Sequence, residues 1–444
     1  VDFEPEVIRS HAPQKSRRHV GFLLNSAHIN VDGITRVHSG PYRGCGINLT
    51  RKHIKGVLIM TTRLLHWAPL VAASLLISGC GDKPASDGST IVRIGQVSPL
   101  TGPQAHLGRD NDNGARLALD EINSKGLMIG GKKITLELKS EDDGADPKTA
   151  TTVAQKLVDE GVVGVIGHLN SGATIPASKI YADNGIPQIS PSATAVAYTA
   201  SGYKTAYRLM TNDAQQGSVL GKYAVDKLGA KKIAIIDDRT AYGQGLADEV
   251  AKAVKASGGE VVAREYTSDR ATDFMAILTS IKGRAPDLVF FGGMDPQAAP
   301  MLKQMKQLGI TAKFLGGDGA QTPQFISLAG ADAEGALASN PGLPLNVMPG
   351  GQAFKTKFEA KYGKIQNYSP YAYDSVYVMV EAMKRAGSTA PAKYLAELPK
   401  TDYQGVTGHI RFDAKGDISG GAVTVYQVKN GAWETLETVQ SGAK

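Results

Sequence analysis

Ile91-Val92-Arg93-Ile94-Gly95-Gln96-Val97 is a short β-rich run, and the alternation that begins with it decides the fold. A helical stretch around Asn113 to Asn123 comes next, with Leu117, Leu119 and Ile122 on its apolar face. Strand-like and helix-like segments then alternate: Ile134 to Leu138, Lys148 to Glu160, Val162 to Ile166, Ile175 to Ala182, Ile186 to Ile189. Such alternation predicts right-handed βαβ units and a parallel sheet covered on both faces. A second series starts near Thr211: Gln216 to Leu228 as helix, Lys232 to Ile236 as a buried strand, Gly245 to Ala256 as helix, Val261 to Tyr266 as strand. It continues through Phe274 to Ile281, Leu288 to Phe291, Met301 to Leu308 and Lys313 to Leu315. Two similar α/β lobes are the natural parse. Beyond Gly335 two helical stretches, Gln352 to Tyr362 and Tyr371 to Arg385, precede late strands at His409 to Phe412 and Val423 to Val428. Pattern alone does not assign these to a lobe.

Upstream of the first strand, Leu76-Ile77-Ser78-Gly79-Cys80 ends an apolar run and reads as a lipobox. Met60 and Arg63 give the positive start, and Leu64 to Ile77 is 14 residues long with His66 and Pro69 inside. A spanning helix wants about 20 apolar residues. Residues 60–79 are therefore expected to be a lipoprotein signal, with Cys80 the lipidated residue and 80–90 a tether. Met60 is the first methionine, and residues 1–59 show no sustained period, so they read as an extension from a start assigned too early; the rival is a basic nucleic-acid-binding arm. Residues 1–59 carry 9 Lys+Arg against 4 Asp+Glu, and Arg63 adds one more positive charge. Of the formal +7, about +1 remains for residues 80–444, so the basic balance gives no warrant for a nucleic-acid partner.

The 365 residues from Cys80 are comfortable for two domains. Cys45 lies upstream and Cys80 is taken by lipid, so no disulfide is expected. Only His106, His168 and His409 follow Cys80, without metal-ligand spacing, so no metal and no cofactor are expected. In open parallel sheets small ligands bind beyond the carboxyl ends of strands. The post-strand loops there are His168 to Thr174 and Ser190 to Thr194, small and hydroxyl-bearing, suited to a carboxylate or simply to capping and turns. Asp318, between Gly317 and Gly319, is a lone carboxylate suited to an ammonium; Tyr242 and Met294 offer largely apolar walls. Gly243-Gln244-Gly245 has the look of a dinucleotide loop but follows no predicted strand closely and lacks the third glycine.

Five ordered stretches, Pro99-Leu100-Thr101-Gly102, Asp142 to Pro147, Val165-Ile166-Gly167-His168, Pro191 to Ala195 and Tyr242 to Gly245, give the chain a family likeness. From Ile91 to about Thr438 it resembles the substrate-binding proteins of ABC importers for branched-chain amino acids, with the type I periplasmic binding fold. That resemblance implies two Rossmann-like lobes joined by a three-stranded hinge, with 91–210 plus 341–399 forming lobe one and 211–340 plus 401–438 lobe two. It implies an amino-acid carboxylate at Ser171 and Thr194, and an ammonium at the Ser192 carbonyl, Thr194 and Asp318, with Ala193 in the same loop. Leu107, Asn170, Tyr242, Met294 and Tyr368 fall where relatives line the side-chain pocket. Relatives commonly carry glutamate in place of Asp318; some carry tyrosine in place of Leu107 and Met294, and a disulfide in place of Ala145 and Asn170.

The implied function is capture of a branched-chain or similar apolar amino acid by hinge closure and delivery to inner-membrane ABC permease subunits, without catalysis. The implied form is a monomer held by lipid on the periplasmic or cell-surface face. Two other classes stay open: a ligand-sensing or cell-envelope lipoprotein on the same fold, since fold does not fix function, and a lipid-anchored enzyme. Against the enzyme stands the lack of any nucleophile-elbow, metal or phosphate-loop pattern.

Overall fold

The computed structural model describes residues 88–440, so residues 1–59, the signal-like run 60–79, Cys80 and most of the tether lie outside the described residues. The first sheet is built from β1 (Thr90–Ser98), β2 (Leu127–Ile129), β3 (Lys132–Asp142), β4 (Gly164–Gly167), β5 (Gln188–Ser190) and β6 (Ala206–Arg208), in the order β2-β3-β1-β4-β5-β6. Its inner strand β4 is buried throughout, as a strand flanked on both edges and covered on both faces must be. The second sheet takes β7 (Lys232–Asp237), β8 (Glu260–Tyr266), β9 (Leu288–Gly292), β10 (Lys313–Gly316) and β11 (Leu337–Asn340). A ribbon of β12 (Tyr403–Gln404) and β13 (His409–Ile410) stands apart, and β14 (Ala422–Lys429) and β15 (Ala432–Gln440) complete the order β15-β14-β11-β10-β9-β7-β8.

Neither sheet is purely parallel, which corrects the expectation from alternation. β2 pairs antiparallel with β3, β14 with β11, and β15 with β14. For the pairs β2–β3 and β14–β15 the reason is local. β2 and β3 are joined by Gly130-Gly131, and β14 and β15 by Asn430-Gly431, all four at positive φ. Two-residue turns of that kind match the twist of antiparallel strands and close hairpins.

Helices α1 (Ala105–Lys125), α2 (Pro147–Asp159), α3 (Ser171–Asp183) and α4 (Val196–Ala200) run between strands of the first series. The second carries α5 (Asp213–Asp226), α6 (Ala241–Ala256), α7 (Met275–Lys282), α8 (Asp295–Gln307) and α9 (Pro323–Ala329). Starts are marked chemically: Asp146 caps α2 ahead of Pro147, Asn212 and Gln215 form a capping box on α5, and Thr240 caps α6. The chain passes from β6 to α5, leaves the second sheet after β11 for α10 (Gly351–Tyr362) and α11 (Ser369–Ala386), and returns for β14. Both α10 and α11 pack on α1, so they belong beside the first sheet, whereas α5 packs on α6, β11 and β14. The result is two α/β lobes with mainly parallel sheets.

The contact of α1 with α11 is close because residue 114 lacks a side chain. A Cβ on Gly114 would lie 2.3 Å from the Ser369 carbonyl oxygen. One turn earlier, Asp110 is buried and accepts the amide N–H groups of Gln366, Asn367, Tyr368 and Ser369 at 2.8–3.1 Å. A side chain of α1 thereby satisfies the orphan donors at the start of α11.

Candidate functional site

Four helix starts and one strand end converge where the lobes face each other. Asn170 and Ser171 open α3 after β4, Tyr242 lies in the first turn of α6 after β7, and Met294 precedes α8 after β9. Tyr368 stands just before α11, and Asp318 follows β10 at the start of a short 3-10 turn. All but Tyr368 sit beyond the carboxyl end of a strand, where an open α/β sheet holds ligands. These six, with Leu169 and Ser192, wall a chamber of about 10 Å³. That is about the room of one water, so the two lobes are closed on each other.

Seven of the ten expected residues therefore come together. Leu107, Ala193 and Thr194 lie outside this wall. Leu107 is fully buried in the core. The Ala193 N–H donates to Ser190 Oγ at 2.9 Å and its carbonyl accepts from Arg208 at 2.8 Å. Thr194 accepts the Asp213 N–H at 2.9 Å on its carbonyl; its Oγ1 lies beside the Asp213 carboxylate without making a geometric hydrogen bond. Ser171 Oγ accepts the Ala195 N–H at 3.1 Å, which leaves its hydroxyl proton to donate elsewhere.

Asp318 is the electrostatic centre. It is 2% exposed and accepts three side-chain hydrogen bonds: Gln216 Nε2 at 3.0 Å and Tyr242 Oη at 2.9 Å on Oδ1, Tyr368 Oη at 2.8 Å on Oδ2. Burial pushes its carboxyl above the usual range, against the lowering by Tyr368, Gln216 and Tyr242. Burial also holds both tyrosine hydroxyls well above 10, so they remain donors. An ionised carboxylate has about four acceptor positions, and three are filled. One position on Oδ2 is left for a further donor.

The Tyr368 bond joins the two sides of the cleft, since Tyr368 leads into α11 beside the first sheet and Asp318 ends β10 of the second. Two further bonds do the same. Asn367 Nδ2 donates to the Asp318 carbonyl at 3.1 Å, and His106 Nε2 meets Asp295 Oδ2 at 2.8 Å. Asp110, Gln216, Asn367, His106 and Asp295 were not picked out by sequence reasoning. Asp110-Asn111-Asp112-Asn113 was a visible signal, a polar run at the front of a helix; Asp110 and Asn111 are buried.

The dinucleotide-like Gly243-Gln244-Gly245 does follow a strand closely, contrary to the sequence reading, since α6 begins four residues after β7 ends. Its glycines lie inside the helix, so this stretch forms no phosphate loop. Gly243 serves packing instead: a Cβ there would stand 2.4 Å from the Gly292 carbonyl oxygen at the end of β9.

Comparison with known proteins places the chain in a family. Over 344 residues the chain is 38% identical to the Leu/Ile/Val-binding protein homolog 1 of Brucella suis biovar 1 (strain 1330), covering 77% of this chain and 91% of the relative. It is 35% identical to the leucine-, isoleucine-, valine-, threonine-, and alanine-binding protein of Pseudomonas aeruginosa, over 78% of this chain and 91% of that one. Among solved structures, a leucine binding protein from Thermotoga maritima MSB8 superposes with a TM-score of 0.74 at 28% identity, covering 79% of this chain and 99% of that one. A branched-chain amino acid transporter substrate binding protein from Streptococcus pneumoniae, in complex with isoleucine, gives 0.71 at 31% identity, over 79% of this chain and 100% of that one. The family model for periplasmic binding proteins matches residues 91–432, and with a two-lobed α/β fold around a buried carboxylate, the chain belongs to that family.

Proposed function

We propose that this chain captures an α-amino acid between its lobes and hands it to the permease of an ABC importer. The carrying observation is Asp318, a buried carboxylate with one acceptor position unused, in the same chamber as Ser171 at the start of α3. A helix start with a free hydroxyl proton stabilises a ligand carboxylate, and Asp318 stabilises the ammonium. Thr194 Oγ1 and the Ser192 carbonyl join once the lobes part to admit the ligand. Closure then follows by hinge motion, with Tyr368 and Tyr242 held on Asp318. The relatives named for leucine, isoleucine and valine support a branched-chain or similar apolar ligand. We place the lobes at 91–210 plus 341–399 and 211–340 plus 401–438, limits supported by the strands of the two large sheets but not by 401–417, where the Val406 and Thr407 N–H groups donate to Asp374 of α11 and Asp417 pairs with Arg208 of β6 on the first lobe. Lipid on Cys80 would keep the lobes at the membrane beside the permease.

Thermal melting against a panel of amino acids, amides and short carboxylates tests the reading. A ligand at about 100 times its dissociation constant adds about 2.7 kcal/mol of stability. Absence of a shift with every zwitterion would overturn the clamp.

A further inference from the structure

The first sheet leaves part of one face bare. β3 pairs with β1 at Ile91–Thr135 and Arg93–Glu137, and with β2 at Met128–Lys133. Residues paired across a ladder, and those two apart along a strand, share a face, so all of these stand together. The opposite face is core: Val92, Ile94, Ile134 and Leu136 are at most 4% exposed. On the bare face Ile91 is 62% and Met128 58% exposed. Cover begins only further along β1, where a Cβ on Gly95 would stand 2.9 Å from Leu157 of α2. Charge on this face is mostly positive. Arg93 and Lys139 both pair with Glu137, at 3.1 and 2.7 Å, and Lys133 makes three cations against one acid. Lys132 is exposed at the hairpin tip beside them, and Glu160, whose carbonyl meets Arg93, has its carboxylate 3.9 Å from Lys156. Exposed apolar side chains set among cations suit a bilayer surface with anionic headgroups.

The course of the chain brings a membrane to this face. Ser89, whose hydroxyl accepts from Thr135 at 2.9 Å, leads into β1 there. From Cys80 to Gly88 the chain can span at most about 27 Å when fully extended. We propose that the bare face of β2, β3 and β1 docks on a bilayer surface carrying anionic phospholipid. Ile91 and Met128 enter the headgroup region, while Arg93, Lys132 and Lys133 meet headgroup phosphates. This rests on the lipid anchor at Cys80 proposed above and gives the first lobe a second point of attachment, favoured by the short tether. β6, from which the chain crosses to α5, lies at the opposite edge of the sheet, so docking leaves the second lobe free to open and close.

The test is flotation of residues 81–444, a compact unit with its own cores, on vesicles of phosphatidylethanolamine with phosphatidylglycerol and on vesicles of phosphatidylcholine alone. Without Cys80, no lipid on the protein contributes. The protein floats with the anionic vesicles and not with phosphatidylcholine, and added salt releases it. Lys132→Glu with Lys133→Glu weakens the partition by at least about twenty-five-fold, at about fivefold for each cation lost. Ile91→Thr with Met128→Ser weakens it roughly tenfold. Native melting temperatures in both double variants separate lost docking from lost fold. Absence of flotation, equal flotation on the two kinds of vesicle, or a partition unmoved by either double variant overturns the docking face. Mass spectrometry of Cys80 in membrane-extracted protein tests the anchor separately: an unmodified thiol overturns the anchor and leaves the vesicles to judge the face.

Discussion

Asp318→Asn is the substitution that isolates the clamp. The side chain keeps its shape, but one oxygen becomes an N–H₂ group that faces an ammonium with like polarity. In the native protein the carboxylate holds donors from Gln216, Tyr242 and Tyr368 and has one acceptor position open on Oδ2. An ammonium about 3 Å from it gains roughly 5 kcal/mol of attraction at an effective dielectric of about 20. After desolvation, breaking such a buried pair typically costs about 2 to 5 kcal/mol, or roughly thirty-fold to several thousand-fold in affinity. Calorimetry on the folded variant, checked by circular dichroism, reads this directly. Proton linkage gives a second readout. Burial raises the Asp318 carboxyl above 3.8, whereas the ammonium needs it ionised. Affinity of the native protein therefore weakens as pH falls below that raised value, by up to about tenfold per pH unit. The variant loses this dependence. A dissociation constant within about threefold of native, with the pH dependence intact, would refute the role of Asp318.

The frame around the clamp is open to two stability measurements. Gly114→Ala drives a methyl toward the Ser369 carbonyl oxygen, 2.3 Å from the position its Cβ must take. Overpacking of that kind costs about 1 to 3 kcal/mol, so the melting temperature drops by several degrees; an unchanged melt would show that α1 and α11 separate freely. Asp213 concerns pH. Burial raises its carboxyl to about 8, against the lowering by the Thr194 hydroxyl beside it, so the folded state holds the proton more tightly than the unfolded state. Stability then falls as pH rises from about 4 through about 8, on the order of a few kcal/mol, and Asp213→Asn flattens that fall. Identical melting profiles from pH 5 to pH 8 for the two proteins would contradict it.

The central strands were legible because they are nearly continuous apolar runs between turn residues, and both β1 and β7 lie within a residue or so of their expected bounds. Several short strands were not. β2 and β6 at the edges of the first sheet, and β11 inside the second, hold only three or four residues, too few for a period to register. β15 alternates charged residues with half-buried ones, as an exposed edge does, which hid its apolar face. Asn430-Gly431 before it is the sequence signature of a tight hairpin, and reading it would have recovered both β15 and the antiparallel edge. Helix α1 was legible only from Asn113 because its first two turns carry buried polar groups. Asp110 caps α11, and Asn111 donates to Ser192 Oγ at 3.3 Å. Residues that hold a site in place break the apolar pattern that identifies a helix.

That same front end of α1 ties the closed arrangement to the proposed clamp. Asp110 fixes the amides of residues 366 to 369, and with them the place of Asn367 and Tyr368. Those two residues then reach across the cleft to the Asp318 carbonyl and carboxylate. Four residues before Asp110, His106 reaches across to Asp295, which also accepts the Thr322 hydroxyl at 2.5 Å on the far lobe. One helix therefore places three interlobe bonds, two of them on the residue proposed to meet the ligand ammonium. In the proposed clamp a ligand ammonium takes the last acceptor position of Asp318 beside the Tyr368 hydroxyl, so its binding energy would favour the closed arrangement that holds Tyr368 there.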